Sequence, residues 1–302
     1  MLYIRIKSGY HYLTCGTYYA VAEPEVREEF LRMVLELSDN LPDKANLLDN
    51  CGIFFWGSFL GNNNRKDIDN CILAYESAVH LTPQGHSKMS GRLNMLGVSF
   101  FHRFRLAGDL ADISKAILYH QKALHLTPEG HAELPGCLNN LGNSLMLCFK
   151  LTGDLTDISD AISYQQRAVH LTPEGHPSIP GWLLNLGNAF ICRFESTGDL
   201  VDISDAITYL QKVVHLTPED HAVMYRLLNN LGTAFQSCFE HTGDLADISN
   251  VISYYQKALH LVPEGHADIH TQLDNLGRSL VLCFQCTGDL TDISNAISYQ
   301  QI

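Results

Sequence analysis

The fold class this sequence predicts is all-α: an α-α superhelix, or solenoid, of antiparallel helix pairs with a 45-residue repeat. Three observations predict it. The segment GDLADIS at Gly108 returns as GDLTDIS at Gly153, GDLVDIS at Gly198, GDLADIS at Gly243 and GDLTDIS at Gly288, each step being 45 residues by subtraction. HLTP keeps the same step, with prolines at Pro83, Pro128, Pro173, Pro218 and Pro263, the last in HLVP. Inside each unit the apolar residues recur at spacings of three and four, which line one face of a helix. Units copied without insertion must meet their neighbours in one way, and that is the property of a solenoid.

The elements follow in chain order. Residues 1–22 are rich in tyrosine and β-branched residues, lack helical period, and are expected to be poorly ordered or loosely packed. Residues 23–43 hold an amphipathic run, Pro24 to Leu37, with proline in the first turn, expected as an N-terminal capping helix. The array itself is expected over 44–302. A degenerate pair, Leu48 to Gly57 and Asp67 to His80, precedes four full pairs whose second helices end at His125, His170, His215 and His260. In the last pair the first helix, around Leu273 to Phe284, is complete. The second stops at Tyr299, Gln300, Gln301 and Ile302 without its HLTP. A terminal repeat normally carries a polar outer face, so the last repeat reads as truncated and the chain as a fragment of a longer protein.

One unit shows how each helix is specified. Leu138, Leu141, Leu145, Cys148 and Phe149 form the stripe of a first helix, A, which ends at the Gly153 turn. Ile158, Ala161, Ile162, Gln165, Ala168 and Val169 form the face of a second, B, over Asp157 to His170. Pro173 ends helix B because proline lacks the N–H donor and restricts the residue ahead of it. Gly153 supplies the left-handed conformation that closes helix A, and Asp154, Thr156 and Asp157 bring capping oxygens and negative charge to the start of helix B.

These residues carry a family resemblance. The tetratricopeptide pattern W-x2-L-G-x2-Y, A-x3-F, P is matched in kind by Leu138, Leu141, Gly142, Leu145, Ala161, Ala168 and Pro173. The unit is lengthened from about 34 residues to 45, which implies a longer helix A and a longer loop between units. The wording LTPEGH, LNNLG and TGDLxDIS, over residues 44 to 302, resembles the arrays of basidiomycete fungi that are often joined to a CHAT-type caspase-like domain. That resemblance implies a fungal TPR-like protein-binding scaffold. It also implies an alternative, a regulatory array whose CHAT-type effector domain lies outside this chain.

Composition narrows the function classes. The formal net charge is −13, with 33 acidic against 20 basic residues, which disfavours phosphate and anionic lipid surfaces. Nucleic acid and membrane are therefore not expected as partners, while basic partner segments gain some weight. Nine cysteines, several of them inside apolar helical runs, suit a reducing compartment, and the cytoplasm is expected. The opening has no uninterrupted apolar stretch of the kind a signal peptide or spanning helix needs.

No nucleophile elbow, phosphate loop or HExxH occurs, so no catalytic residue and no cofactor is expected, and the chain reads as a non-enzyme. The repeated histidine pairs, such as His125 with His131 and His170 with His176, offer two imidazoles per loop where zinc needs about four donors. They are expected to fix the loop by hydrogen bonds, and no metal is expected. Cys283 and Cys286 form a C-x-x-C without a second pair or a βαβ setting.

The candidate site is a ladder of asparagines. In related arrays helix A lines the concave groove, and amides at the matching place bond the backbone of an extended peptide. Asn50, Asn140, Asn185, Asn230 and Asn275 recur one residue before the Leu-Gly step, with Met95 breaking the row. One turn on lie Asn143, Asn188, Thr233 and Arg278. A side-chain amide both donates and accepts, so such a ladder suits a peptide or protein partner of any sequence. The other role open to these asparagines is bridging neighbouring helices within the array.

Overall fold

The computed structural model describes residues 3–6, 9–12, 24–263 and 265–300. The chain divides into two compact units, Met1–Cys148 and Phe149–Ile302. In the first, strands β1 (Tyr3–Ile6) and β2 (Gly9–Tyr12) pair antiparallel with Tyr3 opposite Tyr12. The rest of the segment expected to be poorly ordered lies outside the described residues. Helix α1 (Pro24–Glu36) follows, then α2 (Lys44–Asn62), α3 (Arg65–His80), α4 (Met89–Ala107), α5 (Leu110–Leu126) and α6 (Leu134–Thr152), within which the division falls. The second unit continues with α7 (Leu155–Leu171), α8 (Ile179–Thr197), α9 (Leu200–Leu216), α10 (Met224–Thr242), α11 (Leu245–Leu261), α12 (Ile269–Thr287) and α13 (Leu290–Gln300). Even-numbered helices from α2 onward are A helices and odd-numbered ones from α3 onward are B helices.

Within each unit every helix packs on the next in sequence order: α2, α3, α4 and α5 in the first, and α7 through α13 in the second. The expected apolar faces are the buried ones. On α7, Ile158, Ala161, Ile162, Gln165 and Ala168 are all buried. Helix α1 contributes Phe30, Leu31 and Val34 to the first unit's core, beside Phe55, Ile68, Tyr75 and Phe100. Each large apolar side chain so buried stabilises the fold by roughly 1.5–3 kcal/mol relative to water.

Helix B starts two residues before the expected Asp157, because the aspartate of the Gly-Asp-Leu turn is the cap. Asp199 is representative: its side chain accepts from the Val201 N–H at 3.0 Å, satisfying a donor that has no partner inside the helix. One residue earlier, Gly198 closes α8 at φ 71 with its N–H on the Phe194 carbonyl at 2.7 Å. That left-handed conformation is open to glycine and strained for residues with a Cβ.

The A and B helices of a pair approach closely at the glycine of the Leu-Gly step. A Cβ added at Gly97 would lie 2.5 Å from His120 on α5, and one at Gly232 would lie 2.6 Å from Tyr255 on α11. The opposite end of a pair is held by polar contacts. Arg103 grips the buried Asp112 through two bonds of 2.8 and 2.7 Å, and Arg193 grips Asp202 at 2.8 and 2.6 Å. Such two-pronged pairing matches the planar guanidinium to the carboxylate and offsets the desolvation of the aspartate.

Candidate functional site on the A-helix face

The asparagines expected to line a groove fall on the A helices, and their bonding separates them into groups. Asn140 Nδ2 on α6 donates to Asn94 Oδ1 on α4 at 3.1 Å. Asn275 Nδ2 on α12 donates to Asn229 Oδ1 on α10 at 2.9 Å. In both cases the acceptor stands 46 residues earlier, one residue further back than the equivalent position in the preceding pair. These two amides bridge successive A helices through Nδ2.

Asn230 on α10 differs. The residue 46 earlier is Leu184, which carries no polar side-chain atom. Asn230 is half-buried, and among the described residues its amide has no side-chain hydrogen bond. Asn188, one helical turn on in α8, is also half-buried, as are Asn143 and Asn185. Thr233 is exposed; its hydroxyl lies 3.0 Å from the Asn229 carbonyl and 3.1 Å from the Tyr255 hydroxyl, which in turn lies 3.3 Å from Gln236 Oε1. Burial pushes the Tyr255 phenol above its usual range, so it remains a neutral hydrogen-bonding group.

At the two ends of the row the contacts change. Asn50 is exposed on α2, beside Arg27, whose guanidinium lies 4.5 Å above the Phe54 ring. Arg278 pairs with Asp274 one turn earlier at 2.9 Å, with both side chains well exposed. In the first pairs the bridge between A helices is ionic: Arg92 on α4 bonds both oxygens of Asp49 on α2 at 2.7 Å and Asn46 at 3.0 Å.

Sequence reasoning picked out the donors of the ladder and missed their acceptors, Asn94 and Asn229. The signal was available as the pairing of each asparagine with the residue 46 positions before it. The same arithmetic puts Leu184 in the acceptor's place for Asn230.

The loop histidines brace the turn that leads into each A helix. The Nδ1 atoms of His86, His131, His176, His221 and His266 accept from the backbone N–H two residues on, at 3.1 to 3.3 Å. An accepting Nδ1 must be the unprotonated nitrogen of the ring. Among the described residues no three His, Cys, Asp or Glu side chains gather as a metal-binding group. The thiols are poor nucleophiles: burial pushes Cys51 and Cys71 up to about 12, while burial and the neighbouring Asp247 and Asp292 push Cys238 and Cys283 up to about 11. No described helix is long and apolar enough to cross a membrane.

Comparison with solved structures places the fold among tetratricopeptide-like helical repeats. The chain has the TPR-like repeat fold. It is similar to BtubC (BKLC) from P. vanneervenii, with a TM-score of 0.50 and 18% identity over 78% of this chain and 89% of that one. It is similar to the nearly identical TPR-like repeats of a Podosopora anserina protein assigned as a kinesin light chain, with a TM-score of 0.52 and 12% identity over 72% and 96%. Nro1, a hypoxic regulator of sterol synthesis and nuclear import adaptor, aligns with a TM-score of 0.54 and 12% identity over 91% of each chain. At these identities the likeness concerns the fold alone. No family model matches the sequence, and no curated protein matches it.

Proposed function

We propose that this protein is a non-catalytic scaffold that holds a peptide or partner protein along the face of its A helices. The observation that carries the reading is the open amide of Asn230. A half-buried amide without a side-chain partner loses hydrogen bonds to water on any close approach, and a ligand backbone restores both its donor and its acceptor. Thr233, Asn188, Asn185, Asn275 and Arg278 are assigned to the same face within Phe149–Ile302, and Asn50, Asn140 and Asn143 to the A-helix face of Met1–Cys148. The fold supports the reading, because an array of this kind serves Nro1 as an import adaptor.

The finer attributes belong to the same proposal. A cytoplasmic location is supported by the eight described cysteines, all free thiols. Protein, rather than nucleic acid or membrane, is the partner favoured by the acidic balance. Helix α1 serves as the cap of the array. Fungal origin, and a regulatory role beside a CHAT-type effector, rest on the LTPEGH and TGDLxDIS wording.

The test is selection of binding peptides from a displayed library against the wild-type chain. Asn230→Ala should weaken a selected peptide about five-fold, the worth of one neutral hydrogen bond. Leu184→Asn should weaken it too, by giving Asn230 the internal partner that Asn94 gives Asn140. Unchanged affinity in both variants would remove the assignment.

A further inference from the structure

The acidic balance of Phe149–Ile302 gathers at the edge where each A helix turns into its B helix. Every turn there reads Gly-Asp-Leu-x-Asp, giving Asp154 and Asp157, Asp199 and Asp202, Asp244 and Asp247, and Asp289 and Asp292. Glu195 and Glu240 stand exposed in the last turns of α8 and α10 at the same edge. Asp202 is answered by Arg193. Asp154, Asp199, Asp244 and Asp289 each use one oxygen to cap a backbone N–H and remain exposed to solvent.

Directly after each exposed aspartate comes a leucine that is only half withdrawn from water. Leu155 is 48% exposed, Leu200 50%, Leu245 49% and Leu290 70%, with Val201 beside Leu200 at 64%. Scattered exposed leucines are ordinary. A leucine kept at the first residue of four B helices is not scattered: that position favours acidic residues or proline, and leucine adds nothing to the cap. Each turn of this edge thus presents an exposed apolar side chain beside carboxylates.

We propose that this edge docks a basic amphipathic helix of a partner protein. Its apolar stripe would cover the leucines and its flanking lysines and arginines would meet the aspartates, which is the helix-on-apolar-surface mode of recognition with charge setting the specificity. The chemistry argues against the other occupants. A second copy of the chain would bring the same aspartates against these, and nucleic acid or an anionic lipid surface would bring phosphate. The site is separate from the A-helix face and does not rest on it.

The probe is a fluorescent peptide of roughly five helical turns, made of leucine and lysine at the helical period, read by anisotropy at low salt. Leu200→Ser with Leu245→Ser should weaken binding at least ten-fold. Asp199→Asn with Asp244→Asn keeps the caps, since asparagine caps as well as aspartate, and should weaken binding several-fold while flattening its salt dependence. The glutamate version of the peptide should not bind, and Asn230→Ala should leave binding unchanged. Circular dichroism melts check that each variant is folded. The proposal is overturned by undiminished binding to the folded leucine variant, by equal binding of the glutamate peptide, or by an Asn230→Ala loss matching the leucine loss. Sedimentation showing that the leucines hold two copies together would overturn it as well.

Discussion

Replacing Gly232 by alanine tests whether the Leu-Gly step exists for helix packing. A Cβ there would stand 2.6 Å from Tyr255 Cε1 and 2.8 Å from Cδ1, and that ring is 1% exposed with its hydroxyl set between Thr233 and Gln236. Overpacking of this kind costs about 1–3 kcal/mol. Alanine in a helix interior recovers about 1 kcal/mol over glycine. The expected net is a destabilisation of about 0–2 kcal/mol, read as a midpoint in urea unfolding well below that of the Gly181 control, with an unchanged slope. Gly181 is the control, because an added Cβ there meets nothing within 4 Å, so Gly181→Ala should be stabilising by roughly 0.5–1 kcal/mol. In a Tyr255→Leu background the Gly232→Ala cost should shrink, following Gly187, whose neighbour is Leu210 at 3.1 Å. If Gly232→Ala stabilised the chain as Gly181→Ala does, the close-approach reasoning would be wrong.

Three further outcomes are expected. Burial holds His120 at about 4, below the roughly 6.5 of an unfolded chain, so its stabilising contribution is complete above pH 6.5 and is lost as pH falls towards 4; wild type should lose about 2 kcal/mol more than His120→Gln between pH 7 and 5 in urea titrations at each pH. Arg193→Ala leaves Asp202, 2% exposed, without its counter-charge and should destabilise by about 3–5 kcal/mol, measured by denaturant midpoint. His131→Ala removes the acceptor of the Glu133 N–H and should destabilise by about 1 kcal/mol, whereas His131→Asn supplies a side-chain oxygen and should keep the wild-type melting temperature.

The fold was legible because each local signal pointed to the same answer as the repeat. Ile158, Ala161, Ile162, Gln165 and Ala168 share a helical face in the sequence and lie buried on α7. Gly198 and Asp199 are a turn and a cap by residue type alone, and they take those roles. Legibility fails where a side chain's partner sits on another helix. Nothing local to Gly232 names Tyr255, since the pairing joins residues 23 apart on two helices. Nor does HLTPEGH show that the second histidine fixes the turn before the following helix through Nδ1 rather than binding an ion. The imidazole suits both tasks, and the choice depends on the backbone N–H two residues on lying within reach.

The same reasoning explains why a repeated motif is a poor guide to the groove itself. An amide that recurs along the A helices and is answered by the preceding A helix has its recurrence accounted for by stacking before any ligand is invoked. Asn140 and Asn275 illustrate this, each answered by an asparagine 46 residues earlier. A ligand needs groups that stacking leaves unsatisfied, and those arise where one member of a repeated pair has changed while the other has not. Leu184 is such a change. It leaves Asn230 as a half-buried amide with an open donor and acceptor on an otherwise regular helix face. For the proposed ligand of the A-helix face, specificity is therefore sought at the irregularities of that face, with the regular amide pairs acting as the scaffold that holds them in place.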